Sequence, residues 1–330
     1  MAGYSIGMKI CVFGAGAVGG HIAARLAAKG HDVSVVARGP HLAAIEKNGL
    51  KLHHGDEVIS GRVRTSNFGI QDFVIVTLKA NLLDTFADAV APLLGPETAV
   101  VFAQNGIPWW YGMGAKAPDL ASLDPNGKLA RAIGRERIIG AVIYSANEVI
   151  EPGVIMNHVP NNNMLVVGEA DDRDSPRIKA LRKVLEDSGM SSPPAPDIRA
   201  VVWSKLIQNL ATAPLSTLTE ATVAQVRADT GLANISKRIA EEGRAIAQAY
   251  GINLALAPQR PGGGQSSGVL HHKPSLLQDY ERGRPMEIAS LLLMPLAFAR
   301  EAKVPAATLE AVVALVAYRA AAKGLFRPAA

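Results

Sequence analysis

One cysteine, Cys11, in 330 residues leaves no partner for an intrachain disulfide, so a packed core must hold the fold and a reducing, cytoplasmic setting is expected. Aromatic residues make up only 5% of the chain and no basic run is interleaved with them, which speaks against a nucleic-acid surface despite the net charge of +5. That mild positive balance favours anionic small molecules instead. No apolar stretch reaches the length of a membrane span; the longest, near Leu291–Phe298, contains Pro295. Residues Met1–Gly7 are too short and too little charged to read as a secretory signal. Metal-ligand spacing is missing as well. His53-His54 and His271-His272 are adjacent pairs whose side chains point apart, with no Cys or carboxylate set beside them, so no metal site is expected. What is plentiful is hydrophobic residues, 48% against 19% charged, which with this length suits two globular domains.

The first half alternates short β-branched runs with amphipathic stretches. Strands are predicted at Lys9–Phe13, Asp32–Val36, Phe73–Thr77, Ala99–Phe102, Ile138–Tyr144, Val154–Asn157 and Met164–Val167, with shorter ones near Lys51–His54 and Val58–Val63. Helices are predicted over Gly19–Lys29, near His41–Asn48 and near Leu83–Leu93. This βαβ alternation implies an α/β fold with a doubly wound parallel sheet. From about Ser175 long helical patterns take over: Arg177–Ser188, Ala200–Thr222 with an interruption at Pro214, Asn234–Tyr250, Pro285–Lys303 with a kink at Pro295, and Ala306–Lys323. Residues 1–172 are therefore expected to form the sheet domain and 173–330 an all-helical domain. Pro258–Gly268, with three consecutive glycines, reads as a loop. The stripe Leu309, Val312, Val313 and Val316 reads as a core or homodimer face, and His21 as a packing or capping residue.

Gly14-Ala15-Gly16-Ala17-Val18-Gly19 is a G-x-G-x-x-G turn directly after a predicted strand and opening a helix, the setting of a Rossmann dinucleotide site. The first glycine permits the tight turn, the second lets backbone approach a pyrophosphate, and the third lets helix and strand pack closely. At the end of the second strand an NAD site usually carries Asp or Glu; here stands Arg38, which can pair with a 2′-phosphate and favours NADP(H). Lys79 and Asn105 follow later strands at the same edge, as ligand contacts or as ordinary loop residues. Reducing a carbonyl needs a proton donor opposite the hydride. Lys205 and Asn209, at i and i+4, share a helix face; Glu287 opens another helix, where the dipole alone would favour a carboxylate.

From Lys9 to about Lys323 the chain resembles the ketopantoate reductase (2-dehydropantoate 2-reductase) family. The likeness is carried by Gly14–Gly19 with Arg38, Gln104-Asn105-Gly106, Trp203–Leu206 with Asn209, and Ser275–Asp279 followed by Glu287-Ile288. The resemblance implies NADPH-dependent reduction of a 2-oxo acid to a 2-hydroxy acid. It implies Lys205 as general acid and Glu287 as its partner. Asn105, Asn209 and Ser275 would orient substrate or nicotinamide, and Lys79 would lie at the cofactor. Alternatives are a family reductase of a different carbonyl or an imine, and a non-catalytic NADP-binding sensor; keeping Lys205, Asn209 and Glu287 together argues against the sensor. Two departures point to a pocket shaped for something other than ketopantoate: Ala213 replaces a second asparagine one turn beyond Asn209, and Trp109-Trp110-Tyr111 adds bulk after Asn105.

Overall fold

Side chains along a strand alternate between faces, and in this chain both faces are apolar. The computed structural model describes residues 7–259 and 273–327. Its strands are β1 (Lys9–Phe13), β2 (Asp32–Val36), β3 (Leu50–His54), β4 (Glu57–Gly61), β5 (Phe73–Val76), β6 (Ala99–Phe102), β7 (Ile138–Tyr144), β8 (Asn147–Glu151), β9 (Val154–Asn157) and β10 (Met164–Glu169). The larger sheet has the order β10-β7-β6-β5-β1-β2; β7 through β2 run parallel and β10 antiparallel. Ile10, Val12, Ile75 and Val101 enter one buried cluster, while Cys11, Phe13, Val74 and Phe102 enter another on the opposite face.

Helix α1 (Ala17–Ala28) lies between that sheet and a second one, ordered β4-β3-β9-β8. The short strands near Lys51, Val58 and Val154 thus belong to this second sheet and not to the doubly wound one. Strand β8 was not foreseen. It is half-buried, carries Glu148 and Glu151, and meets β9 through a register shift after Val149. Helices α2 (Gly39–Asn48), α3 (Leu83–Ala89), α4 (Lys128–Ile133) and α5 (Pro176–Asp187) follow. Ile178, Leu181, Val184 and Leu185 of α5 share the cluster of Ile10 and Val167, so this helix packs with the sheet.

The helical half begins with α6 (Ile198–Thr219), capped by Asp197, whose side chain accepts from the amides of Arg199 and Ala200. It continues through α7 (Val223–Ala228), α8 (Thr230–Ala249), α9 (Ser275–Glu281), α10 (Met294–Glu301) and α11 (Ala307–Ala322). Pro214 does not interrupt α6. A proline removes one backbone bond, and burial of Leu210, Ala211, Ala213, Leu215 and Ser216 around it holds the helix through. Pro295 follows a π-turn over Ala289–Leu293, one of the ordinary ways a helix absorbs a missing bond. Leu309, Val312, Val313 and Val316 are buried within the chain, which makes their stripe a core face. His21 is fully buried and accepts from Arg25 Nε at 3.1 Å, a packing role. Most of the Pro258–Gly268 segment lies outside the described residues.

Candidate active site

The parallel strands end along one edge, and the residues that follow them line a cleft of about 1050 Å³ against the helical half. That lies just above the roughly 300–1,000 Å³ of ordinary small-molecule sites. The chain leaves β1 for β2 on one side and returns to β5 on the other, and such a switch point is where ligands sit in open α/β sheets. Gly14–Val18 follow β1, Arg38 follows β2, Lys79 follows β5 and Asn105 follows β6; Lys205, Asn209, Ser275 and Glu287 face the same cleft from the helical half. Of the residues given a catalytic, substrate or cofactor role from the sequence, Gly19 alone is not on its wall.

Gly19 acts behind the wall. A Cβ there would fall 2.0 Å from the Gly14 carbonyl oxygen and 2.5 Å from Thr77 Oγ1, so only glycine lets α1 close on the turn. Gly14 has a φ of 107°, and its amide and that of Ala15 both donate to the Val36 carbonyl at 3.1 Å. A Cβ on Gly16 would meet nothing within 4 Å, leaving backbone open to the cleft at the start of α1. This cradle fits the pyrophosphate of a dinucleotide. Arg38 is exposed on the cleft, and its side chain has no ion pair among the described residues. His41 was missed by sequence reading. Its Nδ1 accepts from the Gly153 amide at 3.0 Å, so Nε2 carries the hydrogen and donates to the Ala15 carbonyl at 2.6 Å, fixing the turn to the β8–β9 connection.

Lys205 Nζ donates to Asn105 Oδ1 at 2.6 Å and to the Ile143 carbonyl, both on the sheet side of the cleft, and lies 5.4 Å from the centre of the Tyr144 ring. Glu287 is 8% exposed and accepts from the Ala80 amide at 3.0 Å. Burial pushes its carboxyl above the usual range, with the Ala80 amide and the Lys79 and Lys205 charges pulling the other way. Asn209 and Ser275 show no side-chain hydrogen bond among the described residues, so their polar atoms are unspent. Lys79 pairs with Asp279 Oδ1 at 2.6 Å and donates to the Pro285 carbonyl at 3.3 Å. Asp279, also raised by burial and offset by Lys79, is a further cleft residue that sequence reading left without a role. No local signal could have revealed this pair, whose members are 200 positions apart. The turn bearing Asn105 is held to the π-turn after Glu287: Ile107 N donates to the Ser290 carbonyl at 2.9 Å, and a Cβ on Gly106 would come within 2.6 Å of Ser290 backbone.

Trp109-Trp110-Tyr111 does not shape the pocket. All three are buried away from it; Tyr111 Oη accepts from Trp203 Nε1 at 2.7 Å, and Arg199 Nε donates to the Tyr111 carbonyl at 3.0 Å. The bulk expected beside the substrate fills the core beneath the helical half. Ala213 does line the cleft, one turn beyond Asn209. On the opposite lip, Glu148 of β8 accepts from Arg282 and lies 3.1 Å from His158 Nε2.

The Ketopantoate reductase PanE/ApbA family matches residues 10–172 and its C-terminal counterpart matches residues 197–320. The 2-dehydropantoate 2-reductase of Mesorhizobium japonicum is 40% identical over 328 residues, 97% of this chain and 100% of that protein. Among solved structures, a candidate ketopantoate reductase from Ralstonia solanacearum superposes with a TM-score of 0.84 at 31% identity, covering 97% of this chain and 100% of the other. A ternary complex of D-mandelate dehydrogenase with NADH and anilino(oxo)acetate shares the fold, with a TM-score of 0.81 at 18% identity and coverage of 97% and 100%. With the glycine cradle and the Lys205–Glu287 cleft already in place, these likenesses show that the chain belongs to the ketopantoate reductase family and is an oxidoreductase that reduces a 2-oxo acid with a nicotinamide dinucleotide.

Proposed function

We propose that the dinucleotide is NADPH and that Lys205 delivers the proton as the C2 carbonyl of the 2-oxo acid becomes a 2-hydroxy acid. The observation that carries this reading is the convergence of Lys205, Glu287, Asn209 and Ser275 on the cleft opened by the glycine turn. Bound along that turn, the reduced dinucleotide supplies the hydride. The chain's own groups do the rest. Asn105 and the Ile143 carbonyl hold the Lys205 ammonium at the cleft, where it polarises the carbonyl and gives its proton to the oxygen. Glu287, biased by burial toward its protonated form, hydrogen-bonds the substrate beside Lys205. Ser275 and Asn209 take the carboxylate end. Lys79 has one donor left after Asp279 and Pro285, which we assign to the cofactor, and Asn105 serves the nicotinamide side.

NADPH is favoured over NADH by Arg38, a cleft guanidinium without an ion pair among the described residues, at the position where a carboxylate would otherwise hold ribose hydroxyls. We assign dinucleotide binding to residues 1–172, with α5 packed onto that unit, and substrate binding to the helical remainder of 173–330. A cytoplasmic homodimer completes the proposal, supported by the single buried thiol and by Leu315 and Tyr318 exposed on α11.

Following NADPH and NADH oxidation with 2-oxo acids tests both assignments. Arg38→Ala should weaken NADPH binding by about 10- to 100-fold and leave NADH nearly unchanged. Lys205→Ala should lower kcat by about 10²- to 10⁴-fold with NADPH affinity kept. Equal losses for the two cofactors would dismiss Arg38, and undiminished turnover would dismiss Lys205.

A further inference from the structure

Two walls of the cleft change from polar to apolar, one helical turn past Asn209 on one side and one turn past Glu287 on the other. On α6, Lys205, Asn209 and Ala213 recur at i, i+4 and i+8 and all face the cleft. Across from them Glu287 is followed four residues later by Leu291, on the π-turn, also facing the cleft. Ala213 is 6% and Leu291 4% exposed, and both belong to one buried apolar cluster. The polar end is thus continuous with a hydrocarbon end. Two acidic groups elsewhere on the cleft are engaged, Glu148 with Arg282 and His158 and Asp279 with Lys79, and Arg38 lies by the glycine turn at the end we assign to the cofactor. Ser145 Oγ likewise already accepts from Asn147 Nδ2 at 2.7 Å.

A 2-oxo acid carries two substituents on its reacting carbon. Its carboxylate is matched by Asn209 and Ser275, which leaves the side chain to Ala213 and Leu291. We propose that the site accepts a hydrocarbon side chain there, so that its preferred substrates are 2-oxo acids with aliphatic or aromatic side chains and no hydroxyl at the tip. This rests on the reading of Lys205 and Glu287 given above. The chemistry is unchanged: a bound reduced dinucleotide would give up a C–H bond as hydride to C2 and be oxidised, the carbonyl π pair would pass to oxygen, and Lys205 would supply the proton which that oxygen takes. A hydroxyl pressed against the Ala213 methyl and Leu291 would lose its water partners without gaining protein ones.

The test compares ketopantoate with 3,3-dimethyl-2-oxobutanoate, which differs from it by one hydroxyl, under NADPH in the full-length enzyme. The hydroxyl-free acid should have the higher kcat/KM by about 10- to 100-fold. Ala213→Asn, which puts an amide on the same wall, should shrink or invert that ratio. Equal or faster use of ketopantoate by the wild type overturns the proposal, and this pair of acids decides it even where the variant does not fold. An undisturbed ratio in folded Ala213→Asn also counts against the assigned wall. Failure to reduce either acid, with NADPH fluorescence showing that cofactor binds, overturns the substrate proposal too, whereas the Lys205 reading falls only if Lys205→Ala keeps its turnover on an acid that the wild type reduces.

Discussion

Gly16 and Gly19 lie three residues apart in one turn, yet an added methyl group meets opposite surroundings at the two positions. At Gly16 the Cβ finds nothing within 4 Å and φ is −67°, an ordinary value for any residue. Gly16→Ala should therefore leave stability within about 1 kcal/mol of wild type. The same methyl occupies the space a pyrophosphate needs to reach the turn's amides. Forfeiting one or two charge-assisted hydrogen bonds costs about 2–3 kcal/mol, or a roughly 30- to 150-fold rise in Kd for NADPH. At Gly19 the Cβ would lie 2.0 Å from the Gly14 oxygen, whereas contacts under 3.0 Å are essentially never seen, so α1 and the turn must part by about 1 Å. That displacement costs about 1–3 kcal/mol or more and should lower the melting temperature as well as NADPH affinity. Thermal denaturation and NADPH fluorescence titration of both variants separate the two effects. Wild-type NADPH affinity in Gly16→Ala would refute the placement of the pyrophosphate; an unchanged melting temperature in Gly19→Ala would refute the packing argument.

Burial raises the Glu287 carboxyl, so as pH climbs through its folded range the folded state holds a proton the unfolded chain has already released, and stability falls. Glu287→Gln should melt higher than wild type by a margin that widens with pH while turnover drops; a margin independent of pH would contradict the assignment. Asp279→Asn and Lys79→Met should each weaken NADPH binding, and the double variant should be little worse than the poorer single one, a coupling of about 1–3 kcal/mol. Strictly additive losses would show that Asp279 does not act through Lys79. His21, held neutral in the core, has its pKa lowered from 6.5 to about 3, chiefly by burial, so the unfolded chain gains a proton that the folded one refuses and stability is lost as pH falls across that interval. His21→Asn should flatten the acid limb of a denaturant series; an unchanged slope would place the titration elsewhere.

The parallel strands and the glycine turn were legible because both leave local marks: buried strands read as unbroken apolar runs, and the turn has fixed spacing. Strand β8 left none, since its residues alternate poorly and its partner β9 returns through Pro152-Gly153 into a separate small sheet. Most of the cleft residues singled out from the sequence follow strand ends or recur at helical spacing, as Lys205 and Asn209 do, whereas Ser275 came only through the family resemblance. Those it missed are joined only in space: Asp279 by its bond to Lys79, His41 by its two bonds to Ala15 and Gly153. Trp109-Trp110-Tyr111 was misplaced because adjacency to Asn105 says nothing about direction, and after that turn the chain runs into the core where Trp203 waits.

Lys205 rides on α6, whereas the oxygens that grip it come from the loop after β6 and from the end of strand β7. Neither half of the molecule therefore holds the proposed acid in place alone. That ammonium is strung between them like a cord between two posts, so a substitution that shifts either post, on α6 or in the loop after β6, should slacken it.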